Sequence, residues 1–122
     1  GINSPKAMIL IYAPVISGTP VEGNADIFMM QMYGKDFKVG EVKKYFIDQK
    51  LDSDYPPCYI VCGKDDQTVP CLNSEILHER LSELGVKNYL EEGNHAPHGF
   101  GDGTGTDVEG WPMRAIDFCE AL

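Results

Sequence analysis

Alternating strand-like and helix-like segments place this 122-residue chain in the α/β class, built on a parallel sheet. Two runs, residues 7–15 and 58–62, are continuously apolar rather than alternating, as strands covered on both faces are. A third, weaker strand pattern spans 88–91, and helical periodicity fills the intervals between runs. About three parallel strands with flanking helices follow.

The first run, Ala-Met-Ile-Leu-Ile-Tyr-Ala-Pro-Val, is closed by Pro14 and by turn-forming residues at 17–20. Two helical candidates come next. Residues 26–33 are rich in methionine (Met29, Met30, Met32), and residues 40–49 carry Val42, Tyr45 and Phe46 on one side. Such a methionine cluster packs a helix against a sheet more often than it lines a pocket. The second strand is introduced by Pro56 and Pro57 and stopped at Gly63.

The clearest helix repeats Leu72, Ile76, Leu77, Leu81 and Leu84, with Asn73 and Ser74 near its start and Gly85 placed as its C-terminal cap. Val108, Trp111, Ala115, Phe118, Cys119 and Leu122 make the last apolar stripe. Pro112 is acceptable only in a first turn, so this helix starts near 109–111. Residues 101–107 are expected to be a flexible loop, capped into the helix by Thr106 or Asp107. They do not make a calcium-binding EF-hand: counted from Asp102, the positions that need Gly and Glu hold Asp107 and Met113.

A formal net charge of -9, with neither sign gathered into a run, opposes binding to nucleic acid phosphate or anionic lipid. No apolar run approaches the roughly 18 residues of a membrane span, and Gly1 opens no secretory leader pattern. The four cysteines, at 58, 62, 71 and 119, show no CxxC spacing. Cys58 and Cys62 on one apolar strand are expected to be buried free thiols, which suits a reducing, cytoplasmic compartment. No cofactor is expected.

The chemistry-bearing residues lie in two loops. Residues 63–70 read Gly-Lys-Asp-Asp-Gln-Thr-Val-Pro, and residues 93–101 read Gly-Asn-His-Ala-Pro-His-Gly-Phe-Gly. Each follows a strand, and loops at the carboxyl ends of parallel strands share one edge of the sheet. An isolated Asp or His in such a loop is usually only a turn residue. Here an acid and a base stand in order, each after its own strand, and the joint pattern outweighs that default. A carboxylate bonded to one imidazole nitrogen fixes the tautomer and steadies the imidazolium formed during acyl transfer.

These stretches resemble the acid loop, Gly-x-x-Asp-x-x-Val-Pro, and the histidine loop, Gly-x-x-His-Gly-Phe, of α/β-hydrolases of the esterase/lipase type, including acetyl esterase-like members. Residues 4–18, Ser-Pro-Lys-Ala-Met-Ile-Leu-Ile-Tyr-Ala-Pro-Val-Ile-Ser-Gly, resemble the strand and loop that precede the acid strand, so the resemblance covers essentially the whole chain. Register with Val69 and Pro70 implies Asp66 as the catalytic acid, with Asp65 a solvated or turn-forming neighbour. Register with Gly99 and Phe100 implies His98 as the base and leaves His95 without a family role. His95 and His98 spell His-x-x-His, but no third ligand stands at metal spacing, and no metal site is expected. His78 is expected at the surface.

The chain departs from the family in its nucleophile. Ser4, Ser17, Ser53, Ser74 and Ser82 all lack the Gly-x-Ser-x-Gly context, and the early oxyanion loop is missing as well. Cys71, at the start of a helix, is the least excluded substitute. Residues 1–122 are therefore expected to be one partial domain, the C-terminal part of an α/β-hydrolase fold. The N-terminal half, including the nucleophile elbow, is expected to lie elsewhere, and the chain alone is expected to be inactive. The implied substrate is a small-molecule ester. The first strand would then present an open edge, from which self-association follows. The rival reading is a non-catalytic binding or assembly module that uses this edge and the region of Phe100 and Trp111.

Overall fold

A computed structural model describes residues 4–14, 34, 36, 47 and 50–122. The helical candidates at 26–33 and 40–49 lie outside the described residues, save for Ile47. The remaining elements run in the order β1 (Met8–Ile11), β2 (Cys58–Gly63), α1 (Leu72–Glu83), β3 (Asn88–Gly93) and α2 (Trp111–Glu120). The three strands form one parallel sheet in the order β1-β2-β3. Its register pairs Met8 with Cys58 and Cys58 with Asn88.

β2 is buried along its whole length, which explains its unbroken apolar sequence. Successive side chains of a strand point to opposite faces, and the two faces of β2 feed different cores. Cys58 and Ile60 pack with Leu77 and Leu81 of α1 and with Val86. Tyr59 and Val61 pack with Ala96, Val108, and Trp111 and Ala115 of α2. The sheet is thus sandwiched between helices, the three-layer arrangement expected of the α/β class.

α1 ends as its sequence demands. Gly85 takes φ 73, its N–H donates to Ser82, and the Val86 N–H donates to Leu81, so the last carbonyls are satisfied by a Schellman turn. Leu81 and Val86 then meet in the core. At its start, Cys71 occupies the capping position without a side-chain cap bond, and Asn73 donates back to the Pro70 carbonyl. α2 begins at Trp111 with Pro112 in its first turn. Arg114 of α2 and the Tyr59 hydroxyl converge on the Glu91 carboxylate, tying this helix to β2 and β3.

Four expectations change. β1 stops at Ile11 rather than reaching residue 15, because Tyr12 turns to φ 37, outside the extended region. Neither Thr106 nor Asp107 caps α2. Thr106 donates its hydroxyl to Gly103, Asp107 accepts the His95 N–H, and Gly110 takes the capping position at φ 80. Residues 101–107 form consecutive turns closed by bonds from the Gly103 N–H to Phe100 and from the Thr106 N–H to Gly103. His78 is only part exposed, and its Nδ1 meets the Asn88 side chain across α1 and β3.

Candidate active site

The loop that leaves β2 and the loop that leaves β3 meet at the carboxyl end of the sheet. Their approach depends on Gly63: a Cβ there would stand 1.7 Å from the Ala96 carbonyl oxygen, so no larger residue fits between the two backbones. The Lys64 N–H donates to the Gly93 carbonyl at 2.8 Å, continuing the ladder one step beyond the paired strands.

Asp66 and His98 are brought together. Nδ1 of His98 lies 2.8 Å from Oδ2 of Asp66. The other carboxylate oxygen, Oδ1, accepts the N–H groups of Thr68 and Val69, both at 2.8 Å. The Asp66 side chain is fully buried, whereas 33% of the His98 side chain is exposed. A buried carboxylate needs such partners to remain charged, and here each oxygen has its own. With Nδ1 engaged, Nε2 sits on the opposite edge of the imidazole ring, directed away from the carboxylate.

Aromatic rings back the imidazole. Tyr12 packs on His98 at a centroid distance of 4.6 Å and meets Phe100 edge-on at 4.9 Å. The left-handed backbone of Tyr12 delivers its ring there, a conformation that costs a non-glycine residue roughly 1–2 kcal/mol. Sequence periodicity could not have found this, because Tyr12 reads as one more strand residue.

Asp65 and His95, expected to be bystanders, form a second pair. Asp65 Oδ1 accepts the Ala96 N–H at 2.7 Å, and Oδ2 lies 2.9 Å from Nδ1 of His95. Consecutive carboxylates thus hold the histidine loop at two places. Trp111 anchors the loop's return through an indole N–H bond to the Gly101 carbonyl at 2.8 Å. Trp111 is itself 7% exposed, so it offers little surface to a partner protein.

Cys62 is not the expected free thiol, since it is disulfide-bonded to Cys71. The physical reason lies in strand alternation: Cys62 shares the face of Cys58 and Ile60, turned toward α1, and Cys71 is the residue at which α1 begins. The bond brackets the acid loop, excludes Cys71 as a nucleophile while it persists, and removes the cysteine-based ground for a reducing compartment. Cys62, Cys71 and Glu92 are close enough to share a cation, but sulfurs bonded to each other offer no thiolate, so these residues do not fit a metal. Cys58 and Cys119 remain free, and burial pushes the Cys58 thiol up to about 11.

A thiol count checks the bond. With a water-soluble thiol reagent and no reductant, the native protein should show no reaction at buried Cys58, and the unfolded protein should show two thiols. Addition of reductant should raise the count to four. Four thiols in the unfolded protein before reduction would contradict the Cys62–Cys71 bond.

A parallel sheet whose strand-end loops join a buried Asp to a His is the layout of an α/β-hydrolase fold, here in part. Solved structures that match it include two hydrolases. An acetyl ester-xyloside bifunctional hydrolase from Caldicellulosiruptor lactoaceticus aligns with a TM-score of 0.71 and 25% identity, over 96% of this chain and 41% of that one. A sugar hydrolase from Lactococcus lactis aligns with a TM-score of 0.76 and 28% identity, over 96% of this chain and 48% of that one. The chain therefore spans less than half the length of either structure. No family model and no curated protein sequence matches it. Among the described residues, no helix is long and apolar enough to cross a membrane.

Proposed function

We propose that this chain is the acid–base part of a serine-type carboxylic ester hydrolase acting on small acyl esters such as acetylated sugars. The observation that carries the proposal is the contact between His98 Nδ1 and Asp66 Oδ2, with the second carboxylate oxygen already held by two backbone amides. Asp66 keeps the proton of the neutral imidazole on Nδ1, so Nε2 is free to accept one. In the proposed cycle, Nε2 takes the proton of a serine contributed by a segment outside these 122 residues. The serine attacks the ester carbonyl, His98 passes the proton to the departing alcohol, and water then releases the acid by the same route. No cofactor takes part in this chemistry. The names of the two structures described above, one an acetyl ester-xyloside hydrolase and the other a sugar hydrolase, support this substrate class.

The test is aryl acetate turnover by the full-length protein, with and without His98. Loss of turnover in the His98→Ala variant is the expected result. Serine-type turnover by the 122-residue chain alone, abolished by the same substitution, would overturn the placement of the nucleophile.

The outer side of β1 pairs with no strand among the described residues, and Ile9 on it is 43% exposed. In the proposed full-length protein the sheet continues from this edge. The isolated chain is expected to self-associate there, since unpaired strand edges recruit other strands. Sedimentation as a monodisperse monomer would contradict that.

A further inference from the structure

We propose that Asp65 is a positioning residue of this site, acting on His98 through the backbone amide of Ala96; the inference rests on the acid–base roles of Asp66 and His98. Ala96 is fully buried and held on both sides. Its N–H donates to Asp65 Oδ1 at 2.7 Å, and its carbonyl oxygen is pressed against Gly63 in the space a Cβ would fill. Only Pro97 separates it from His98, and the proline ring fixes φ at that position. The placement of the Ala96 peptide is thereby passed to the imidazole through a stiff connection.

Asp65 and Asp66 are adjacent in the chain, so one short stretch of the β2 loop sets two points of the histidine loop at once. Asp66 fixes the ring and Asp65 fixes the backbone beneath it. The other contact of Asp65, with His95, does not carry this role. The His95 side chain is 75% exposed, and a pair so open to water is weakly held. The Ala96 amide is different: the residue is fully buried and its acceptor is a charged carboxylate, and a water entering the space that Asp65 vacates would satisfy the N–H without tying the histidine loop to the β2 loop. Productive geometry tolerates little movement: about 1 Å of misplacement can cost on the order of 100-fold in rate.

The test uses the full-length protein and aryl acetate as substrate. Asp65→Ala should lower kcat roughly 10- to 100-fold with KM changed less than about threefold, because positioning rather than substrate binding is lost. Asp65→Asn, whose side-chain oxygen still accepts the Ala96 N–H, should retain kcat within about threefold, and His95→Gln within about twofold. Should Asp65→Ala not fold, Asp65→Ser takes its place, with a kcat between those of wild type and His98→Ala expected. Wild-type kcat in Asp65→Ala or Asp65→Ser, alongside inactive His98→Ala, would overturn the role of Asp65 alone. Equal damage from Asp65→Asn and Asp65→Ala would overturn the amide contact as its route. Unchanged turnover in His98→Ala would overturn the acid–base assignment beneath it.

Discussion

Replacement of His98 by Ala in the full-length protein is expected to lower kcat for ester cleavage by roughly 10^4- to 10^6-fold, the scale at which a triad base is lost. Asp66→Asn should cost roughly 10^3- to 10^4-fold by a different route, the wrong tautomer. The Thr68 and Val69 amides both point at Oδ1, so an asparagine must keep its carbonyl oxygen there and turn its NH2 group toward His98. Nδ1 would then accept a hydrogen bond instead of donating one. The ring proton moves to Nε2, and the edge that should accept the serine proton no longer can. The two variants therefore differ in what they preserve: Asp66→Asn keeps the imidazole in place and His98→Ala removes it. Steady-state kinetics on an aryl acetate checks both, and a kcat for Asp66→Asn within a few-fold of wild type would show that Asp66 does not set the tautomer.

Gly63→Ala should give the largest loss of stability, at least about 3 kcal/mol, beyond the usual cost of overpacking. The added methyl would meet a backbone carbonyl at 1.7 Å, and a backbone atom cannot swing aside as a side-chain tip can. Either β2 or the histidine loop must shift, and a shift of the loop also breaks the Asp65 contact with Ala96. Gly85→Ala is the matched control. At Gly85 a methyl would meet nothing within 4 Å, and the cost comes from its φ of 73 alone, about 1 kcal/mol. Urea denaturation of both variants separates a steric clash from a backbone preference. Equal losses would show that the two loops do not depend on the close approach at Gly63.

Much of this architecture was legible in the chain. β2, α1 and α2 could be read because each combines a clear apolar pattern with a punctuating residue: Gly63 at the end of the strand, Gly85 after the first helix, Pro112 inside the last. The meeting of the two loops was legible because parallel strands bring their following loops to one edge, whatever the separation in sequence; the choice of Asp66 over Asp65 and of His98 over His95 came from the resemblance, through register with Val69-Pro70 and Gly99-Phe100. The details that escaped depend on three-dimensional neighbours. The left-handed turn at Tyr12 leaves no trace in periodicity, since a tyrosine after an apolar run reads as strand. Asp65 looked idle because its more buried partner, the Ala96 N–H, is a backbone amide, which has no sequence signature. The Cys62–Cys71 bond required two readings at once, the face on which Cys62 points and the start of α1 at Cys71. Neither cysteine spacing nor the apolarity around Cys62 supplies both.

The most direct measurement is covalent labelling of the full-length protein with a fluorophosphonate, which reacts with a serine activated by a neighbouring base, followed by mapping of the modified residue. One labelled serine is expected, in a Gly-x-Ser-x-Gly turn outside these 122 residues, with labelling lost in His98→Ala. Labelling of Ser4, Ser17, Ser53, Ser74 or Ser82, or labelling that persists without His98, would contradict it.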